Sequence, residues 1–180
     1  MTIGSASQLI EPVLSRLFAY WDGKRGDGKF PRRAAIDPVE IPSLLPHLFL
    51  IDVQRDPFDL VFRLAGTAVA ANNGGDITGL RLLELANSAA PDLYRQAVRA
   101  VRLGRPILVC GPARNRAGAF RSVDHLMLPL ATDGDRVGML IGAAIYRPFA
   151  LGERQQADAK PLRWPGLVSR ESGPEKDSAA

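Results

Sequence analysis

The chain has 180 residues, 46% of them hydrophobic and 23% charged, with one cysteine and two histidines. This is the composition of one globular domain long enough to bury a core. It excludes an internal disulfide framework and a cysteine-rich zinc module, and a protein-ligated metal site, which is not expected, would have to be built mostly from carboxylates. The formal net charge of +4 has one source, because residues 24–33, KRGDGKFPRR, carry five basic side chains and one acid and the remainder sums to zero. No helix is expected to carry a basic stripe. Phosphate-binding surfaces usually spread contacts across a face, so nucleic-acid binding through 24–33 is the least favoured reading. It would be sensitive to salt and to Arg25, Arg32 and Arg33. No apolar run approaches the ~20 residues of a membrane span, and the start MTIGSASQLIEP lacks the pattern of a secretory signal. The expected location is the cytoplasm, with no membrane contact.

Residues 7–21, SQLIEPVLSRLFAYW, predict an amphipathic N-terminal helix that becomes regular near Pro12, where the missing amide hydrogen is tolerated. Leu9, Val13, Leu17 and Trp21 recur every four positions with Leu14 and Phe18 beside them, an apolar stripe wide for one packing surface. Residues 22–31 read as a loop. Asp37-Pro38-Val39-Glu40 is a helix-start signal, with Asp37 as cap and Glu40 at the capping-box position, but Pro42 and Pro46 keep the helix short. His47 is expected to cap its end. Leu48–Gln54 and Phe58–Ala65 read as two strands joined by the short turn Arg55-Asp56-Pro57. Thr67 is placed to cap a small helix through Asn72, stopped by Gly74-Gly75. A turn at Asp76–Gly79 leads into a short helical stretch, Leu80–Leu85. A better helix spans Pro91–Leu103, with Leu93, Ala97, Ala100 and Val101 inward and Arg95, Arg99 and Arg102 outward, and Gly104 and Pro106 end it.

Strands at Ile107–Ala113, Phe120–Leu130 and Val137–Tyr146 complete the domain, joined by tight turns that force antiparallel neighbours. The result is an α+β fold: a five-stranded antiparallel sheet, helices inserted between strands two and three, and an N-terminal flanking helix. The divisions are 1–21 for that helix, 22–148 for the domain and 149–180 for a tail predicted to be disordered from its polar composition. Within the tail, PLRWPGLV (161–168) is an apolar island.

The stretches YWDGKRGDGKFPRRAAIDPVEIPSLLPHLFLIDV (20–53), FRLAGTAVAANNGGDITG (62–79), GRPILVCGPARN (104–115) and LMLPLATDGDRVGMLIGA (126–143) resemble a bacterial subfamily of single PAS domains. The resemblance covers roughly residues 20–147. It implies a sensory or interaction module with a cavity between the helices and the inner sheet face, and dimerisation, often through an N-terminal helix. On that implication Leu9, Val13, Leu14, Leu17, Phe18 and Trp21 are dimer-interface candidates, and a helix buried on its own sheet is the competing reading. The marks of cofactor-bearing branches are missing: the flavin-type Asn-Cys-Arg motif is absent, and Pro91–Leu103 holds no histidine for haem. The expectation is therefore no permanent cofactor, a small-molecule ligand, a partner signalling protein and no catalysis. The alternative is an adaptor whose core is closed by its own side chains.

The pocket candidates are Arg63, Thr67, Asp76, Thr78, Tyr94, Cys110 and His125. Cys110 and His125 fall near each other across the third and fourth strands, a nucleophile-and-base pattern, but a cysteine flanked by Val109 and Gly111 also reads as a small hydrophobe. Arg63, inside VFRLA, is either an outward arginine or a carboxylate clamp. Asp76 and Thr78 in GDITG read as turn formers that bond nearby amides or as residues at a ligand entrance.

Overall fold

The computed structural model describes residues 11–115 and 117–148; Leu9, the start of the predicted first helix, and the apolar island 161–168 lie outside them. Helix α1 runs Pro12–Lys24: it is regular from Pro12, as expected, and continues three residues beyond the expected end at Trp21. Strands β1 (Leu48–Arg55) and β2 (Phe58–Ala65) form the first hairpin. Helices α2 (Thr67–Asn73) and α3 (Ala90–Leu103) follow, then β3 (Ile107–Arg114), β4 (Phe120–Ala131) and β5 (Val137–Pro148). The five strands are antiparallel in the order β2-β1-β5-β4-β3. The chain therefore leaves the sheet at one edge, β2, and re-enters at the other, β3. The segment between them must cross a sheet face, and this lays α2 and α3 over it.

Both faces are covered, which explains why β1 opens with four consecutive buried residues, Leu48 to Ile51. Phe49 and Ile51 point to the face under α2 and α3, with Leu60, Phe62, Met127 and Leu140. Leu48 and Leu50 point to the opposite face, with Leu128, Met139 and Ile141. That second face is closed by α1. Leu14, Leu17, Phe18 and Trp21 are buried against it, and Val13 packs partly buried on the same cluster. Of the two readings of the wide stripe, the fold uses the intrachain one. Ile36, Ile41 and Leu44 complete the cover over the outer face of β1, β4 and β5.

Three local expectations are corrected. Asp37 does cap its turn, accepting from the Val39 amide at 2.9 Å, but the turn is a single 3₁₀ turn and Glu40 reaches Lys24 at 2.6 Å. Gly66, not Thr67, caps α2. The stretch Leu80–Leu85 forms only a 3₁₀ turn at Leu82–Glu84, because its start pairs with the sheet edge: the Phe62 amide donates to the Leu80 carbonyl at 2.9 Å and the Gly79 amide to the Phe62 carbonyl at 2.7 Å. Those groups are no longer free for a helix. His47 ends the 3₁₀ segment Pro42–His47 with its Nδ1 buried and unpartnered. No described helix is long and apolar enough to cross a membrane.

Candidate functional site

Strand alternation puts Phe49 and Phe62 of β1 and β2, His125 of β4 and Tyr146 of β5 on the face under the helices. Val69 and Asn73 of α2 and Leu93 of α3 close over them, leaving a void of about 10 Å³. That is about the space one water occupies. Its polar lining is a chain of side-chain amides. The Asn87 Nδ2 donates to Asn73 Oδ1 at 3.2 Å, and Asn73 Nδ2 donates to the Val69 carbonyl at 2.9 Å and to Tyr146 Oη at 3.3 Å. The Ala89 amide, at the start of α3, donates to Asn87 Oδ1 at 3.0 Å, so the network is tied to that helix. Burial pushes the Tyr146 phenol up to about 12, so it is a hydrogen-bonding group and not an anion.

Outside the void a cleft of about 550 Å³ opens between the first half of α3 and β3, with Val123 and His125 of β4 on its floor. Leu93 and His125 line both spaces and form the wall between them. The His125 ring meets Phe49 at 6.4 Å and Tyr146 at 6.2 Å, both edge-on. Neither of its nitrogens has a hydrogen-bond partner among the described residues. On the opposite wall the Oε1 of Gln96 is buried and equally unpartnered. Gln96 is a lining residue of the cleft, and a buried polar atom such as its Oε1 rarely goes without a partner.

Desolvation lowers the His125 imidazole to about 4, against a weaker opposing effect of Asp124. The ring is neutral when folded, while in the unfolded chain it titrates near ~6.5. Between those values the unfolded state binds more protons, so this residue's contribution is fully present above ~6.5 and is lost as pH falls toward 4. Urea midpoints at pH 7 and pH 5 are expected to differ by less in His125→Gln than in the parent. An unchanged difference would remove His125 as the source.

The remaining sequence candidates fall elsewhere. Cys110 pairs with Asp124 in the β3–β4 register while Val109 pairs with His125, so thiol and imidazole point to opposite faces of the sheet. Although Cys110 is exposed on the edge strand, desolvation first and the Asp124 carboxylate second push its thiol up to about 12, the reverse of nucleophile activation. Arg63 sits at the β1–β2 bulge, exposed, with its guanidinium 3.1 Å from Asp52. Thr67 is exposed at the first turn of α2. Asp76 accepts from the Thr78 amide at 2.9 Å and hydroxyl at 2.7 Å, bonds that hold its carboxyl below the usual range, and both residues lie in an exposed turn. Tyr94 packs half-buried against the inner cluster without lining either space. Of the seven, the structure places His125 at the void and Cys110 at the cleft rim. Asn73, Asn87, Gln96 and Tyr146 were missed. Tyr146 was accessible in principle, because the short β4–β5 turn fixes a register that puts it on the face of His125. No described group of histidine, cysteine, aspartate or glutamate is arranged to hold a metal ion.

The sequence matches the PAS domain family over residues 10–145. The chain belongs to that family, whose members are generally sensory or regulatory. Among solved structures it is similar to VqmA of Vibrio cholerae in a ligand–DNA complex, at 14% identity and TM-score 0.49, covering 60% of this chain and 49% of that one. It is also similar to the Rhodobacter sphaeroides LOV protein, at 17% identity and TM-score 0.46 over 67% and 71% of the two chains. A fungal LOV photoreceptor gives 21% identity and TM-score 0.44 over 56% and 72%. The chain thus spans about half the length of the VqmA chain. No curated protein matches.

Proposed function

We propose that this chain is a non-enzymatic sensory PAS module that takes a small molecule at the cleft between α3 and β3 and passes occupancy to a partner protein. The observation that carries this reading is the shared wall. Leu93 and His125 separate an open cleft from a void with its own polar network, and Gln96, a residue of the cleft wall, has a buried Oε1 without a donor. A ligand with an N–H or O–H group satisfies that oxygen, and an apolar body fits the leucine and valine surface. Movement of the Leu93 side chain would join the two spaces. No catalytic step is assigned, because the thiol and the imidazole face away from each other.

The second reading, an adaptor with a closed core, is favoured by the size of the void, which as it stands accommodates one water. Native mass spectrometry of the purified protein, compared with its denatured mass, separates the two. A non-covalent mass on each chain, lost in Gln96→Ala, is expected for the sensor. A bare chain mass that stays bare after incubation with a small-molecule extract would overturn the sensor reading in favour of the adaptor. The same spectra report the oligomeric state. Homodimerisation, if found, would use a surface other than the buried stripe of α1.

A further inference from the structure

The basic segment 24–33 does not act as one patch. Lys24 pairs with Glu40 at 2.6 Å, and Arg25 pairs with Asp22 at 3.0 Å and donates to the Gly28 carbonyl at 2.8 Å. Arg33 donates to the Ile36 carbonyl at 3.1 Å. Lys29 and Arg32 are left exposed on either side of Phe30 and Pro31. The Phe30 ring rests on Gly104, where an added Cβ would lie 3.0 Å from its Cε1. This contact brings the loop against the end of α3.

On α3, Ala90, Leu93, Ala97 and Ala100 are buried against the sheet. At 3.6 residues per turn, Arg95, Arg99 and Arg102 fall on the opposite side, so the helix does carry the basic stripe that the charge count concealed. Arg95 is neutralised by Asp92. Arg99, Arg102 and Arg105, together with Lys29 and Arg32, have no ion-pair partner among the described residues, and Asp27 is the one acid of the loop segment 25–33. Gathering unpaired like charges within about a Debye length works against folding. A partner of opposite charge turns the same field to use. Leu103, 50% exposed, stands between two of the arginines. Arginine is enriched at protein interfaces and among their hot spots. A surface that only tracks phosphates has no use for the leucine.

We propose that the outer face of α3, extended by Lys29 and Arg32, docks a carboxylate-rich segment of a partner protein, with Leu103 against an apolar side chain of that segment. This holds whether or not the cleft takes a ligand. The test is fluorescence anisotropy of the full chain with a labelled peptide of about 20 residues, glutamate with leucine at every fourth position, beside single-stranded and duplex DNA of similar length. At ~0.05 M salt the peptide is expected to bind more tightly than either DNA, and to weaken toward ~0.2 M. Arg102→Glu with Arg105→Glu should weaken the peptide about tenfold or more. Leu103→Ser should weaken it without changing the salt slope. Arg16→Glu, an exposed site on α1 with no ion-pair partner among the described residues, serves as the control and should change nothing. No peptide binding, or binding indifferent to the double reversal, overturns the proposal. Tighter DNA binding that ignores Leu103→Ser overturns it in favour of a nucleic-acid surface.

Discussion

Gly66→Ala is expected to cost the domain about 3 kcal/mol or more, at the upper end of what overpacking does. The reason is space and not conformation, since Gly66 has φ −66 and ψ 162, values open to any residue. A Cβ built there lies 2.1 Å from the Leu45 carbonyl oxygen and 2.5 Å from that of Pro46. Both are backbone atoms of the 3₁₀ segment leading into β1, so no side chain can rotate away. The glycine is also pinned from its own side: its amide donates to the Leu48 carbonyl at 2.7 Å and its carbonyl accepts from the Ala70 amide at 2.9 Å. Relief therefore requires shifting the start of β1 or the start of α2. Gly79→Ala supplies the contrast, with φ +85 and nothing within 4 Å of the added methyl. There only the left-handed backbone resists, at about 1–2 kcal/mol. Urea unfolding of both variants decides the matter, and equal losses would refute the crowding argument.

That pair also shows what a linear reading resolves and what it does not. Gly66 lies in the stretch 62–79 that carries the family resemblance, yet the local pattern assigns the cap to Thr67, because a side-chain oxygen is the usual cap and close backbone approach leaves no local signature. The strands were legible throughout, since alternation, turn residues and short connections are local. The failures came where a distant element intervened. Leu80–Leu85 has an apolar helical pattern, but its first residues pair with β2, which leaves only the turn Leu82–Glu84. Arg95, Arg99 and Arg102 were visible as outward residues, but their merger with Lys29 and Arg32 depends on Phe30 reaching Gly104 across more than 70 positions. The candidate site was the least legible part. His125 was found as a rare residue on a strand, whereas Asn73 and Asn87 look like loop polar residues until the fold joins them to Tyr146.

Trp21→Ala is expected to remove about 3–5 kcal/mol, the range for deleting a large buried aromatic. Against a typical total of ~5–15 kcal/mol the variant would be close to unfolding. Trp21 is 2% exposed, packs on Phe18 with ring centroids 5.6 Å apart, and donates its indole N–H to the Pro129 carbonyl at 2.8 Å. That bond explains a proline inside a strand. β3 begins at Ile107, opposite Met127, so Pro129 has no β3 partner, and β4 next meets a neighbour on that side where Ala131 bridges Arg32. A missing amide is tolerated there, and α1 supplies the donor that the sheet does not. Trp21→Phe keeps most of the apolar area but leaves the carbonyl orphaned, at about 1–3 kcal/mol, so it remains measurable even if the alanine variant does not fold. The same experiment tests the role of the helix. If α1 covers its own sheet, dilution can separate a dimer made elsewhere but leaves each chain folded, with a cooperative thermal midpoint that no longer moves on further dilution. If instead the stripe were exchanged between two copies, the chain would unfold as it dissociates, because association and folding are then one equilibrium, and the intrachain assignment of Leu14, Leu17, Phe18 and Trp21 would fall.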